Sequence, residues 1–109
     1  MKYRVIFSPE SRVQLIELQR YIAQEASPEI AQRFTAAIVG YCEGFDTFPY
    51  RGTKRDDIRP GLRTVGFRRR VPVAFAVDNQ TVTILGVFYG GQDYETDLET
   101  EARQNGNPG

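Results

Sequence analysis

Two serine–proline pairs, Ser8-Pro9 and Ser27-Pro28, stand nineteen positions apart near the start of this chain. They constrain the fold more than any other feature. A serine hydroxyl accepts a hydrogen bond from a free amide at the first turn of a helix, and proline suits the first helical position because its missing N–H has no intrahelical acceptor there. Each pair therefore opens a helix. The first must end near Ala26, and the second starts at once, which leaves no chain for a crossover and makes the two a helical hairpin.

Apolar spacing supports both helices. Val13, Leu15, Ile16, Leu18 and Ile22 lie on one side of the first, with Glu10, Gln14, Glu17 and Gln24 on the other. In the second, Ile30, Phe34, Ala37, Ile38, Tyr41, Phe45 and Phe48 recur at three- and four-residue steps until Pro49 closes the segment. That is enough apolar surface to cover one face of a sheet.

The sheet is legible on either side of the helices. Tyr3 to Phe7 alternates as a short first strand. Tyr50 to Gly61 is rich in glycine, proline and charge and reads as an irregular loop. Leu62 to Phe67, Arg70 to Val77 and Thr81 to Phe88 read as three strands. Arg68-Arg69 and Asp78-Asn79-Gln80 are short enough to join them as hairpins, so the three form an antiparallel meander. Pro72 cannot donate to a ladder and must face away from a neighbour or lie at a bulge. The predicted fold is α+β, a single domain of order strand-helix-helix-strand-strand-strand, with the helical hairpin packed on a small antiparallel sheet. It spans residues 1–98. Residues 99–109 contain no apolar side chain except Ala102 and are expected to form a flexible tail.

A length of 109 residues with 40% apolar content fits one core and not two. Cys42 stands alone and cannot form an internal disulfide. Its place in a helix-like stretch makes it a small apolar filler rather than a nucleophile. The first residues lack the apolar centre of a signal peptide, and no apolar run approaches membrane-spanning length. A cytoplasmic protein without membrane contact is expected. No metal-ligand cluster, phosphate-cradling glycine loop or nucleophilic triad is present, so neither a metal nor a cofactor is expected.

Zero net charge conceals segregation. Between Arg51 and Arg70, eight bases face two acids, a local balance of +6, whereas Asp93, Glu95, Asp97, Glu99 and Glu101 form an acidic run. A basic centre in a neutral chain points to local docking on an anionic partner and away from non-specific coating of nucleic acid. The last strand empties into Tyr89-Gly90-Gly91-Gln92-Asp93-Tyr94, a polar, aromatic, glycine-hinged exit where function is expected to sit.

Tyr3-Arg4-Val5-Ile6-Phe7-Ser8-Pro9, Tyr21-Ile22-Ala23, Pro49-Tyr50-Arg51-Gly52, Leu62-Arg63 and Val82-Thr83-Ile84-Leu85-Gly86-Val87, in this order, resemble the RelE/ParE toxins of bacterial type II toxin–antitoxin systems over about residues 1 to 95. The resemblance implies a compact toxin that acts in growth inhibition and plasmid maintenance and is neutralised in a hetero-oligomer with a cognate antitoxin. RelE-like members cleave messenger RNA on the ribosome, and ParE-like members trap DNA gyrase without an enzymatic step of their own.

RNA cleavage by its own 2′-hydroxyl needs a proton acceptor, a proton donor and cations at the phosphate. The chain has no histidine, and arginine stays protonated, so a cleaving reading must use Tyr89, Tyr94 or Asp93 for protons and Arg63 and Arg70 as phosphate clamps. The catalytic set would be Arg63, Arg70 and Tyr94. The long helical hairpin and the tight loop after Phe48 resemble the ParE branch more closely. On that reading no catalytic residue is expected, and Arg68, Arg69, Arg70, Tyr89, Gln92, Asp93 and Tyr94 form the target-binding set. An extended amphipathic antitoxin segment would cover the first strand and the flank of the hairpin, touching Tyr3, Leu15, Leu18, Ile22 and Phe34. A non-toxic interaction domain is the third reading.

Overall fold

The structure is a computed structural model that describes residues 2–89. Its elements run β1 (Arg4–Phe7), α1 (Pro9–Glu25), α2 (Pro28–Glu43), a single 3₁₀ turn (Gly44–Asp46), β2 (Thr53–Lys54), β3 (Leu62–Phe67), β4 (Val71–Asp78) and β5 (Thr81–Val87). The expected end of the domain at residue 98 and the tail beyond it lie outside the described residues.

Both serine caps form. Ser8 Oγ accepts from the Ser11 amide at 3.1 Å and Ser27 Oγ from the Ile30 amide at 3.1 Å, each with proline opening the helix behind it. Ser8 also ends β1, because its own amide donates to the Ile84 carbonyl at 2.9 Å. One residue thus closes the strand ladder and starts α1, which fixes the helix across the sheet.

The five strands order as β1-β5-β4-β3-β2. The β3–β4–β5 meander is antiparallel as read from the sequence. The first strand adds to the edge of β5 in parallel, pairing Arg4 with Thr81 and Phe7 with Ile84, so the sheet is mixed rather than wholly antiparallel. The Tyr50–Gly61 loop is also more ordered than its composition indicates, since Thr53 and Lys54 pair with Thr64 and Arg63 at the far edge. Composition could not reveal this because a two-residue strand has no periodicity to read.

The core lies between the helices and one face of the sheet, where Leu18, Ile38, Cys42 and Phe45 meet Phe67, Val71, Val73, Phe75, Val82, Ile84 and Val87. A second, smaller cluster of Leu62, Ala74 and Phe88 occupies the other face. Two apolar stripes were read too broadly. Val13 and Ile16 on α1 are 53% and 52% exposed, and Ile30 and Phe48 at the ends of the second stripe are 45% and 66% exposed. Gln14, expected on the solvent side, instead turns toward the sheet, where its Oε1 accepts from the Val87 amide at 2.8 Å.

That contact serves a bulge. Ala74 pairs with Gly86 and Phe75 with Ile84, so Leu85 is left over on β5. The Leu85 carbonyl accepts from Ser8 Oγ at 3.3 Å and the nearby Val87 amide is taken by Gln14, so α1 satisfies what the irregular ladder leaves open. Gly86 is required here, because a Cβ would sit 2.6 Å from the Phe88 ring. Pro72 lies one residue past the last β4–β5 pair, and its carbonyl still accepts from the Phe88 amide at 2.9 Å.

Candidate functional site

The arginines of the basic segment divide into two groups. Arg51, Arg55 and Arg63 are half-buried and engaged within the molecule, so they are not part of an open docking surface. The Arg51 guanidinium lies 5.7, 4.9 and 5.8 Å from the ring centroids of Tyr41, Phe45 and Phe48, and its Nε donates to the Phe48 carbonyl at 2.9 Å. Arg63 Nε donates to the Arg51 carbonyl at 2.9 Å and its guanidinium faces the Tyr50 ring. Arg55 forms a two-pronged pair with Asp57, both contacts at 3.0 Å, which holds the Asp57 carboxyl below the usual carboxylate range.

This explains the Pro49-Tyr50-Arg51-Gly52 motif physically. Pro49 is buried, Tyr50 meets Tyr3 edge-on at 6.1 Å and Arg51 is clasped by three rings. Gly52 has φ +76°, and a side chain there would collide with the Thr64 carbonyl. The hydroxyls of Tyr3 and Tyr50 lie 3.4 Å apart, and that hydrogen bond pushes the Tyr3 phenol above its ordinary value. The motif builds the loop.

Arg68, Arg69 and Arg70 form the second group, all exposed, at the β3–β4 turn. Arg68 and Arg69 have φ of 51° and 60°, and the Arg70 amide donates to the Phe67 carbonyl at 3.1 Å. Positive φ at both central positions is the pattern of a type I′ turn, which ordinarily takes asparagine and glycine. Each left-handed arginine costs about 1 kcal/mol or more. The Arg68 side chain folds back over Phe67 at 4.9 Å and Phe34 at 5.9 Å.

Of the expected target-binding residues, the structure gathers Arg68, Arg69 and Arg70 at one tip. Tyr89 leaves β5 on the helical side of the sheet, stacked against Tyr21 with ring centroids 5.6 Å apart. Gln92, Asp93 and Tyr94 lie outside the described residues. Arg63 and Arg70 are not brought together. Arg63 is the second residue of β3 and Arg70 lies beyond its far end, and the four steps from Arg63 to Phe67 alone span roughly 13 Å.

Among the expected antitoxin contacts, Tyr3, Leu15, Ile22 and Phe34 are half-buried. Leu18 is 2% exposed and lies in the core, beneath the surface rather than on it. Leu15 borders a groove of about 340 Å³ that runs between the helices on their outer side, with Ile16, Ala36 and Val39 among its apolar walls. Sequence reasoning missed Ile16 as part of this surface because its position on the apolar stripe reads as core. It also missed Ile30 and Arg33, which line a cleft of about 280 Å³ with Phe34 and Arg68. Only the register of α2 against the β3–β4 turn brings these four together.

Cys42 is fully buried, and burial pushes its thiol up to about 12. It behaves as the apolar filler the sequence implied. Among the described residues no group of histidine, cysteine, aspartate or glutamate side chains is placed to hold a metal ion, and no helix is long and apolar enough to cross a membrane.

Comparison with known proteins decides the family. The model of the ParE toxin of the type II toxin–antitoxin system parDE matches residues 5–94. The chain belongs to the RelE/ParE toxins, on the ParE side. A solved structure of the chromosomal ParDE toxin–antitoxin system from P. aeruginosa superposes with a TM-score of 0.71 at 19% identity, covering 81% of this chain and 96% of that one. The RelBE2 toxin–antitoxin complex from Mycobacterium tuberculosis superposes with a TM-score of 0.61 at 22% identity, covering 84% and 95%. Both share the α+β fold of helices on a small sheet. No curated protein matches the sequence. This member of the ParE family is thus the toxin of a type II system, and the motifs that carry the resemblance fall mainly on the scaffold just described.

Proposed function

We propose that this ParE-family toxin acts in the cytoplasm by binding DNA gyrase without catalysing a reaction itself, and that a cognate antitoxin neutralises it in a hetero-oligomer. The observation that carries the reading is the separation of the arginines. Arg63 is held by the Arg51 carbonyl and the Tyr50 ring at one end of β3, and Arg70 stands at the other. A phosphate in the act of cleavage needs its cations converged within hydrogen-bond reach of one point. The exposed Arg68-Arg69-Arg70 tip suits a docking surface instead, with Tyr89, Gln92, Asp93 and Tyr94 as the remaining target-binding candidates.

For the antitoxin, the groove between α1 and α2 fits the apolar face of a helix. Leu15 lines it, with Leu18 and Ile22 packed into the core beneath the helices, and Phe34 and Tyr3 stand as candidate contacts at opposite ends of the sheet, one against Phe67 and the other against Tyr50.

The experiment pairs two assays. Purified toxin should inhibit supercoiling by gyrase, relieved by Arg68→Ala with Arg69→Ala, while a ribosome-bound message stays intact. Cleavage of that message, abolished by Tyr94→Phe, would replace this proposal with the ribosomal one. Unchanged growth on expression of the chain alone would leave only an interaction domain.

A further inference from the structure

The cleft between the first turns of α2 and the β3–β4 turn has an apolar floor and cationic walls. Ile30 is 45% exposed within it, and Phe34 lies beside it, edge-on to Phe67 at 5.7 Å. Arg33 and Arg68 line it, and Arg69 and Arg70 continue the charge along the turn. None of these four arginines takes part in an ion pair among the described residues, and the acid closest in sequence, Glu29, lies one turn before Arg33 on α2. Such a cleft fits a peptide that places an apolar side chain between carboxylates.

The chain carries a segment of that chemistry. Residues 93–101 read Asp-Tyr-Glu-Thr-Asp-Leu-Glu-Thr-Glu, with Tyr94 and Leu98 among five acids. The place where the chain approaches this segment is also fixed. The Phe88 amide donates to Pro72, two residues from Arg70, and Tyr89 stacks on Tyr21 on the helical side of the sheet. Asp93 lies four steps along the chain from Tyr89, a reach of roughly 13 Å that spans from β5 past the neighbouring strand.

We propose that residues 93–101 dock in cis in this cleft, with Leu98 against Ile30 and Phe34 and the carboxylates on Arg33 and the arginine turn. The docking does not rest on the proposed role of the turn.

The test uses the full chain. Thr96→Cys carries a nitroxide, while the buried, unreactive Cys42 thiol stays unlabelled. Paramagnetic attenuation of backbone amides should be several-fold stronger at Ile30, Arg33, Phe34 and Arg68 than at Asp78 and Thr81, at the opposite end of the sheet. It should fall to a diffuse background in about 1 M salt, where the screening length is ~3 Å. Leu98→Ser, and separately Asp97→Asn with Glu99→Gln, should abolish the localised effect without touching the folded core. Attenuation that is uniform around Tyr89, or indifferent to these variants, would overturn the proposal. So would attenuation seen only when label and observed amides are on different molecules, since that outcome assigns the cleft to a second copy. None of these readouts involves gyrase, so a negative supercoiling assay leaves them intact.

Discussion

Gln14 of α1 accepts the amide hydrogen of Val87 across 2.8 Å, at the last paired residue of β5. A polar side chain on a helix thereby completes a strand at the point where the chain turns out toward Tyr89. Removing the acceptor leaves a buried backbone donor unsatisfied, which costs about 1–3 kcal/mol. Gln14→Ala should lower the free energy of urea unfolding by that amount without changing the slope of the transition, and Gln14→Glu, which keeps an acceptor, should lower it less.

Gly52 tests the loop that holds Arg51. With φ of +76° and the Thr64 carbonyl occupying the space a Cβ would need, Gly52→Ala must move β2 away from β3. A loss of roughly 2–4 kcal/mol is expected from the strained backbone and the broken pairing. Hydrogen exchange should localise the damage to the Thr53, Lys54 and Thr64 amides before it reaches the rest of the sheet.

The β3–β4 turn predicts an opposition between stability and activity. Arg68→Asn with Arg69→Gly places the residues favoured at positive φ where two arginines now stand. The double variant should gain about 1–2 kcal/mol in thermal or urea unfolding and lose target inhibition. Equal inhibition by the stabilised variant would remove the turn from the target surface.

Cys42 sets a pH dependence at the alkaline end. Its thiol is raised to about 12 in the folded chain, against an ordinary value near ~8.5, so between these the unfolded state is deprotonated and the folded state is not. The unfolded state then binds fewer protons, and stability falls as pH rises, by up to about 1.4 kcal/mol per unit from this group. The contribution is fully present below pH ~8.5 and is lost as pH approaches 12. Cys42→Ala should flatten that part of the curve, as measured by urea unfolding from pH 8 upward. At pH 8 a thiol reagent should modify the native protein only as fast as it opens.

The helical hairpin and the meander were legible because their signals are local. Ser8-Pro9 and Ser27-Pro28 start helices by chemistry within one turn, and the strands flanking Arg68-Arg69 and Asn79 need only short-range alternation. What escaped the sequence depends on partners far along the chain. Gln14 reads as a solvent residue until the β5 bulge brings an unpaired amide to it, and Ile16 and Ile30 read as core until the second helix leaves them outside. The basic segment showed its charge but not its division, since whether an arginine is clasped, as Arg51 is by Tyr41, Phe45 and Phe48, or free, as Arg69 is, follows from the folding back of the loop over α2. Of the candidate site, the arginine tip was legible as a cluster of charge at a hairpin turn, whereas the cleft behind it required the register of α2 on the sheet.

The parallel pairing of β1 with β5 joins Arg4 to Thr81, the earliest strand to the latest. A ribosome making this chain emits both helices long before it supplies the strand against which the first segment must lie. The nascent toxin therefore stays unassembled for most of its translation. An inhibitor protein already at hand has that whole interval to be waiting when the sheet closes.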